Sequence, residues 1–408
     1  MNKFGFREVG PLLYAAFIDI FGFSLAFPTL TAIFTDPNCP LFSHPVSSSV
    51  RFLVLAISYS VYSLAMFFGS AFLGDLSDII HRKKVLLISL TGLTLSYIVM
   101  GFSISASILW LFIAARAFAG LMAGNFPTAL AAIVDLSTEE NKAYNMGLVS
   151  LAQCVGFVIG PTLGGLLSMN NLSLPFFATA VLAFAALIWV WAGFTETFVK
   201  KTGKKFSLIR VINALWEGVR HHKVRVLSLA FFIMQAGLSC FLTIAPIYLK
   251  ELFHYSNAQV GYFNGYLGIA LALALLVALP LLVKRFKIEM ITTVSLFIAV
   301  PFIFLPGVFK IVIGIWIFGF FLSFFNQLAY AGMYTSYSNA VDANSQGWVM
   351  GIGISTVALS WSATAFLTLL VPIIGASNLM LIGSGLYLLS ALIMLYYVKT
   401  LWKVSGTA

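Results

Sequence analysis

Charge is what this sequence has least of. Asp, Glu, Lys and Arg make up 9% of its 408 residues, against about 25% in a water-soluble domain, so a soluble enzyme is excluded. Cysteine is scarcer still. Cys154 and Cys240 lie in apolar stretches and Cys39 in a polar one, which makes no disulfide framework or redox motif. The 5 histidines fall in or near loops without metal-ligand spacing. No nucleophile has a base beside it, and no glycine loop leads into a Lys-Ser pair that would cradle a phosphate. Catalysis, a metal, ATP and other cofactors are therefore not expected. The formal charge of +10 would suggest a nucleic-acid partner in a soluble protein, but here it reports membrane topology.

Apolar residues fill the space that charge leaves, at 61% of the chain, and the mean hydropathy is +1.00. Twelve segments are long and apolar enough to cross a bilayer, at 11–33, 52–74, 84–105, 108–134, 144–168, 174–196, 226–249, 258–282, 288–306, 310–334, 348–373 and 377–399. Strands of a membrane barrel run about 10 residues with polar alternation, so these segments predict an all-α membrane protein. The first carries Asp19 and Pro28 and ends in Thr35-Asp36-Pro37-Asn38 without a small-residue cleavage site, which reads as a retained helix and not a signal peptide.

Lys and Arg alternate between loops. With the N-terminus inside, nineteen lie on the cytoplasmic side, Arg51, Lys250 and Lys310 lie outside, and Arg116 lies within a helix. That bias predicts cytoplasmic N- and C-termini. The polar stretch 197–225 divides the segments six and six, giving bundles at 1–196 and 226–408. Behind a cap at Ser207, Leu208, Val211, Ile212, Leu215 and Val219 keep helical spacing, as an amphipathic helix on the inner leaflet would. Ala132-Ile133-Val134-Asp135 is echoed by Asn339-Ala340-Val341-Asp342, Met146-Gly147 by Met350-Gly351, and Arg82-Lys83-Lys84 by Lys284-Arg285-Phe286-Lys287. A duplicated six-helix unit follows: twelve helices in two pseudo-symmetric bundles, as in alternating-access carriers with the substrate site between the halves. The expected partners are the bilayer, a small-molecule substrate and a coupling ion, with the chain acting as a monomer.

Asp19 lies about 12 Å into the first helix at 1.5 Å per residue. A carboxyl group at that depth marks an ion or substrate path and can take and release a proton; alternatively it caps backbone where Gly22 and Pro28 disturb the helix. Arg116 can anchor an anionic substrate group, tune a nearby acid, or bond carbonyls of neighbouring helices, and its depth argues against a direct pair with Asp19. In the loop after the second segment, Asp78 and Arg82 are four apart and can pair across a turn or tie two helices, Gly74 permits close packing, and Lys83 adds to the charge. In the fifth segment, Gly156, Gly160, Gly164 and Gly165 clear one helix face and Pro161 kinks it, as a contact between moving helices requires. Tyr59, Gln153, Gln235, Asn264, Asn326, Gln327 and Tyr330 are the candidates for a largely apolar cavity with a few hydrogen-bonding points.

These motifs resemble the major facilitator superfamily, and within it the proton-linked drug antiporters related to bacterial tetracycline exporters. The first helix is similar to the family's D-x-x-G then P pattern through Asp19, Gly22 and Pro28. The loop resembles G-x-L-[AS]-D-R-x-G-R-[RK] at Gly74, Leu76, Ser77, Asp78, Arg82 and Lys83, and departs at Ile79, where the family has Arg, and at His81, where it has Gly. Arg116 and Gly120 resemble R-x-x-x-G. Gly156, Gly160, Pro161, Gly164 and Gly165 match the antiporter motif throughout, and Gln346, Gly347 and Gly351 also look like the exporters. The resemblance implies a rocking carrier in a bacterial inner membrane that exchanges protons for a lipophilic compound. Tetracycline is disfavoured as the substrate, because those exporters carry further acids in the third and ninth helices and this chain has none there. A carrier of the same fold for a specific nutrient, such as an amino acid or siderophore, working in either direction, is the alternative.

Overall fold

The computed structural model describes residues 6–137, 142–196, 218, 220–342 and 345–405. The amphipathic linker helix expected behind Ser207 lies outside them. The described residues are helical, without strands, because backbone groups in lipid must be satisfied within their own segment. Two compact units result. One is Met1–Leu208 with Tyr255–Gly265, and the other is Ile209–His254 with Tyr266–Ala408.

In the first unit, α1 (Phe6–Thr35) is central and packs on α2 (Ser48–Ile80), α5 (Asn125–Leu136), α6 (Lys142–Leu167) and α7 (Leu174–Gly193), while α3 (Arg82–Ser105) packs on α4 (Leu109–Leu121) and α7. In the second, α8 (His222–Phe253) packs on α13 (Gln346–Ala365) and α14 (Val371–Ser405). There α11 (Ile288–Val308) packs on α12 (Val312–Asn339) and α14. Asn257–Leu273 forms α9, whose first turns belong to the first unit.

Among the described residues eleven helices are long and apolar enough to span a bilayer, against the twelve segments of the hydropathy reading. The difference lies at the C-terminal end, where 348–373 and 377–399 form one run, Trp348–Thr400, interrupted at Gly375 by a left-handed backbone with φ 81°. Two other segments are broken where a single helix was expected. The fourth divides into α4 and α5 around Met122–Gly124, because Pro127 has no N–H to offer the Ala123 carbonyl and Gly124 frees the backbone to turn. The eighth passes from α9 through a π-helical turn, Ala274–Ala278, into α10 (Leu279–Leu282), where Pro280 withdraws another donor.

Candidate functional site

The break in the fourth segment is where Asp19 is held. Its Oδ1 accepts from Asn125 Nδ2 at 2.7 Å and its Oδ2 from the Phe126 backbone N–H at 2.8 Å. Both donors belong to the first turn of α5, so the carboxylate sits on the positive end of a helix that begins inside the bundle. Asp19 therefore does cap backbone, though at the break of another helix and not at Gly22 or Pro28 of its own. Sequence reasoning missed Asn125. The signal was present: Gly124 followed by Asn125 and Pro127 is a helix start inside an apolar run.

Arg116 lies on α4, at 1% exposure. Its Nε donates to the Ser58 carbonyl of α2 at 3.3 Å, its guanidinium stands 4.6 Å from the Tyr62 ring centroid, and its Nη1 has no hydrogen-bond partner. No bond joins it to Asp19 among the described residues, which agrees with the depth argument. The interhelical carbonyl bond is the structural role foreseen for it. The open Nη1 leaves one donor, at a cost of about 1–3 kcal/mol while it stays unmade.

At the far end of α5, Arg82 is 8% exposed and pairs with Asp135 at 3.3 Å, while its Nη1 donates to Ser77 Oγ at 2.5 Å. Glu196 accepts from the backbone N–H groups of Arg82 and Lys83 at 3.2 and 3.0 Å, capping the start of α3. Arg82 therefore ties α3 to α5 through Asp135, a residue singled out in the sequence only as a repeat marker; the side chain of Asp78 lies outside the described residues. Nothing described stands within 4 Å of a methyl placed on Gly74. His81, between α2 and α3, has φ 96°, a left-handed backbone that favours glycine. That geometry accounts for the glycine of the motif at this position.

The glycines of α6 serve two faces where one was expected. Methyls at Gly156 and Gly164 would stand 2.8 Å from the Phe17 and Leu25 carbonyl oxygens of α1, and one at Gly160 would stand 2.6 Å from the Phe21 oxygen. Gly165 instead meets the Asn257 carbonyl and Gly261 of α9, and a methyl at Gly261 would stand 2.6 Å from the Pro161 oxygen. The small pair Gly261 and Gly265 was legible as a close-packing motif and went unread. Helix α6 runs on through Pro161 without a break.

The cavity candidates are divided between the two units. Tyr59 donates to the Phe27 carbonyl at 3.3 Å, Asn264 Nδ2 donates to Val260 of its own helix at 2.9 Å, and Gln153 is half-buried in the first unit. In the second, Asn326 Oδ1 accepts from Tyr387 at 2.6 Å, Tyr330 packs on Phe231 and Tyr334, and Gln327 is half-buried. Gln235 and Asn264 each bury a side-chain oxygen without a partner. Among the described residues no group of three His, Cys, Asp or Glu side chains is placed to hold a metal.

A polytopic helical protein with a carboxylate held at the start of a broken helix belongs among the membrane carriers. The family model described as Major Facilitator Superfamily matches residues 12–365, and the chain belongs to that superfamily, as a multi-pass integral membrane protein. It is similar to the class C tetracycline resistance protein of Escherichia coli, 31% identical over 63% of this chain and 62% of that protein. It is also similar to the multidrug resistance protein MdtG of Yersinia enterocolitica, 30% identical over 53% of this chain and 52% of that protein. The matched region thus spans less than two thirds of these relatives. In fold it resembles the human organic anion transporter MFSD10, with TM-score 0.73, 19% identity and coverage of 95% of this chain and 99% of that one. It likewise resembles the POT family transporter PepTSo, with TM-score 0.76, 12% identity and coverage of 97% and 98%.

Proposed function

We propose that this protein is a proton-coupled antiporter that exports small amphipathic molecules by alternating access. One observation carries the reading: an intramembrane carboxylate bonded to the first turn of a half-helix whose other end holds the Arg82–Asp135 pair. Helix α5 has 12 residues, about 18 Å at 1.5 Å per residue, and so joins a protonatable group to a latch. An ionised Asp19 accepts charge-assisted bonds, worth about 1.5–3 kcal/mol each against about 0.5–1.5 for neutral ones, and gains about 0.3–2 kcal/mol from the helix end. Protonation gives up part of that sum. About 2 kcal/mol shifts a two-state population about thirtyfold, enough to release α5 at one end and alter the pull on Arg82 at the other.

The resemblance to tetracycline resistance proteins and MdtG supports export of lipophilic compounds. The charge bias supports cytoplasmic termini, in a bacterial inner membrane. Reading Trp348–Thr400 as two crossings parted at Gly375 brings the spans to twelve, in bundles at 1–196 and 226–408. A second reading, a carrier for one nutrient or metabolite, is favoured by the open Nη1 of Arg116, which fits a carboxylate.

The test is proton movement in liposomes holding wild type or Asp19→Asn, with lipophilic dyes, antibiotics, amino acids and iron chelates offered in turn. The amide keeps an acceptor for Phe126, so the variant folds, and substrate-dependent proton flux is lost. Flux that survives overturns the assignment to Asp19; a response to amino acids or chelates alone establishes the second reading.

A further inference from the structure

In the second unit the counterpart of the Arg82 cluster is built differently. Lys284, Arg285 and Lys287 occupy the turn between α10 and α11, all exposed, and among the described residues neither Lys284 nor Arg285 forms an ion pair. Asp342, which stands in the repeat where Asp135 does, likewise makes none. Glu289, in the first turn of α11, accepts from Asn339 Nδ2 at 3.2 Å and does not line the turn's cavity. That cavity is an open groove of about 770 Å³ lined by the three cations together with Leu279, Pro280, Val283, Phe286, Ile288 and Thr335. Its apolar wall continues along the span through Val277, Leu281 and Val283, which are 52%, 59% and 48% exposed.

We infer that this groove binds the headgroup of an anionic glycerophospholipid, with the phosphate against Lys284, Arg285 and Lys287 and an acyl chain along Leu281 and Val277. Positive residues needed only for topology have no reason to line an apolar groove. The same residues at a membrane end, continuous with lipid-facing side chains, complement both halves of an anionic lipid. A soluble phosphate would use the cations and gain nothing from the wall. The inference rests on the chain being a membrane protein and not on what it transports.

The experiment measures lipid retained by the purified protein in native mass spectrometry, from mixtures of phosphatidylglycerol and phosphatidylcholine. Wild type retains phosphatidylglycerol preferentially. At about 1 kcal/mol per surface Lys or Arg, Lys284→Gln/Arg285→Gln/Lys287→Gln weakens that retention on the order of 100-fold, and Arg285→Gln alone, which changes one exposed side chain, about fivefold. Lys223→Gln/Arg225→Gln, at another basic end, leaves it unchanged. Phe286→Ser lowers lipid retention without changing binding of inorganic phosphate. Equal retention by wild type and the three groove variants, equal loss in the control, or full displacement by inorganic phosphate at matched ionic strength overturns the proposal.

Discussion

The two units answer the same design problem with different chemistry. Each contains a span interrupted by proline or glycine, and the interruption in the first, at Met122–Gly124, is held by the carboxylate of Asp19, whereas among the described residues no acid side chain is bonded to Ala274–Ala278 or Gly375. Each unit also has a basic turn with an aspartate at the matching place in the repeat. Arg82 is buried and paired with Asp135; Lys284 and Arg285 are exposed and make no ion pair among the described residues. The two units thus share a helical frame, and among the described residues the Arg82–Asp135 ion pair belongs to the first. An intramembrane charge is expensive and persists where it does something, so the first unit is where the proposed coupling is to be tested.

The comparison breaks most visibly at the glycines. At Gly160 the Phe21 carbonyl is 2.6 Å from where a methyl would stand, and a backbone atom cannot swing aside. Gly160→Ala is therefore expected to cost about 1–3 kcal/mol, and Gly160→Leu to abolish folded protein. Gly147 of the same helix and Gly351 of the second unit meet nothing within 4 Å, so alanine there is neutral or stabilising by up to about 1 kcal/mol. Thermal unfolding in detergent checks the set. Equal losses at Gly147 and Gly160 would refute the view that tight packing of α6 on α1 sets this face.

The latch comes next. Arg82→Gln leaves Asp135 without its ion pair and Ser77 without its donor, for an expected loss of about 1–3 kcal/mol together with impaired transport. Asp342→Asn in the second unit is expected within about 0.5 kcal/mol of wild type and to transport normally. If the two variants behave alike, the asymmetry between the units is only apparent.

Much of this was legible before any coordinates. Apolar runs gave the helical membrane fold, and Asp19, Arg116 and the α6 glycines stood out because such residues are costly or unusual in lipid. Partners were not legible. The hydrogen bonds of Asp19 run to residues more than 100 positions away, and only the break before Asn125 aims those donors at it. Spacing offered Asp78 to Arg82, across one turn or as a tie between two helices, but could not offer Asp135, which is 53 positions away. The left-handed residue His81 ends α2, so Arg82 opens a new helix and meets Asp135 of α5. Hydropathy did part the last run of 53 residues at 374–376, where Gly375 turns the backbone.

His81 itself gives a smaller test. A non-glycine residue at φ 96° holds strain of about 1–3 kcal/mol, partly returned if glycine adds freedom to the unfolded chain. His81→Gly is expected to raise stability by about 1 kcal/mol, measured as a higher unfolding temperature. A fall would mean that contacts of the imidazole outweigh the strain.

The smallest effect concerns the loop between α1 and α2, where Cys39 is 4% exposed. Burial pushes its thiol up to about 11, with Asp36 adding to the rise, the Leu41 backbone bond and Arg51 opposing it. Maleimide reacts with the thiolate, and with that value only about 0.1% of Cys39 is ionised at pH 8. Labelling is therefore expected to be far slower than for a free cysteine of ordinary thiol acidity, and to rise about tenfold per pH unit between pH 8 and 10. Because the thiol is neutral throughout the physiological range, Cys39→Ser should leave the pH dependence of transport unchanged. Rapid labelling at pH 7 would show that the loop opens, exposing the joint between α1, which carries Asp19, and α2, whose Ser58 carbonyl holds Arg116.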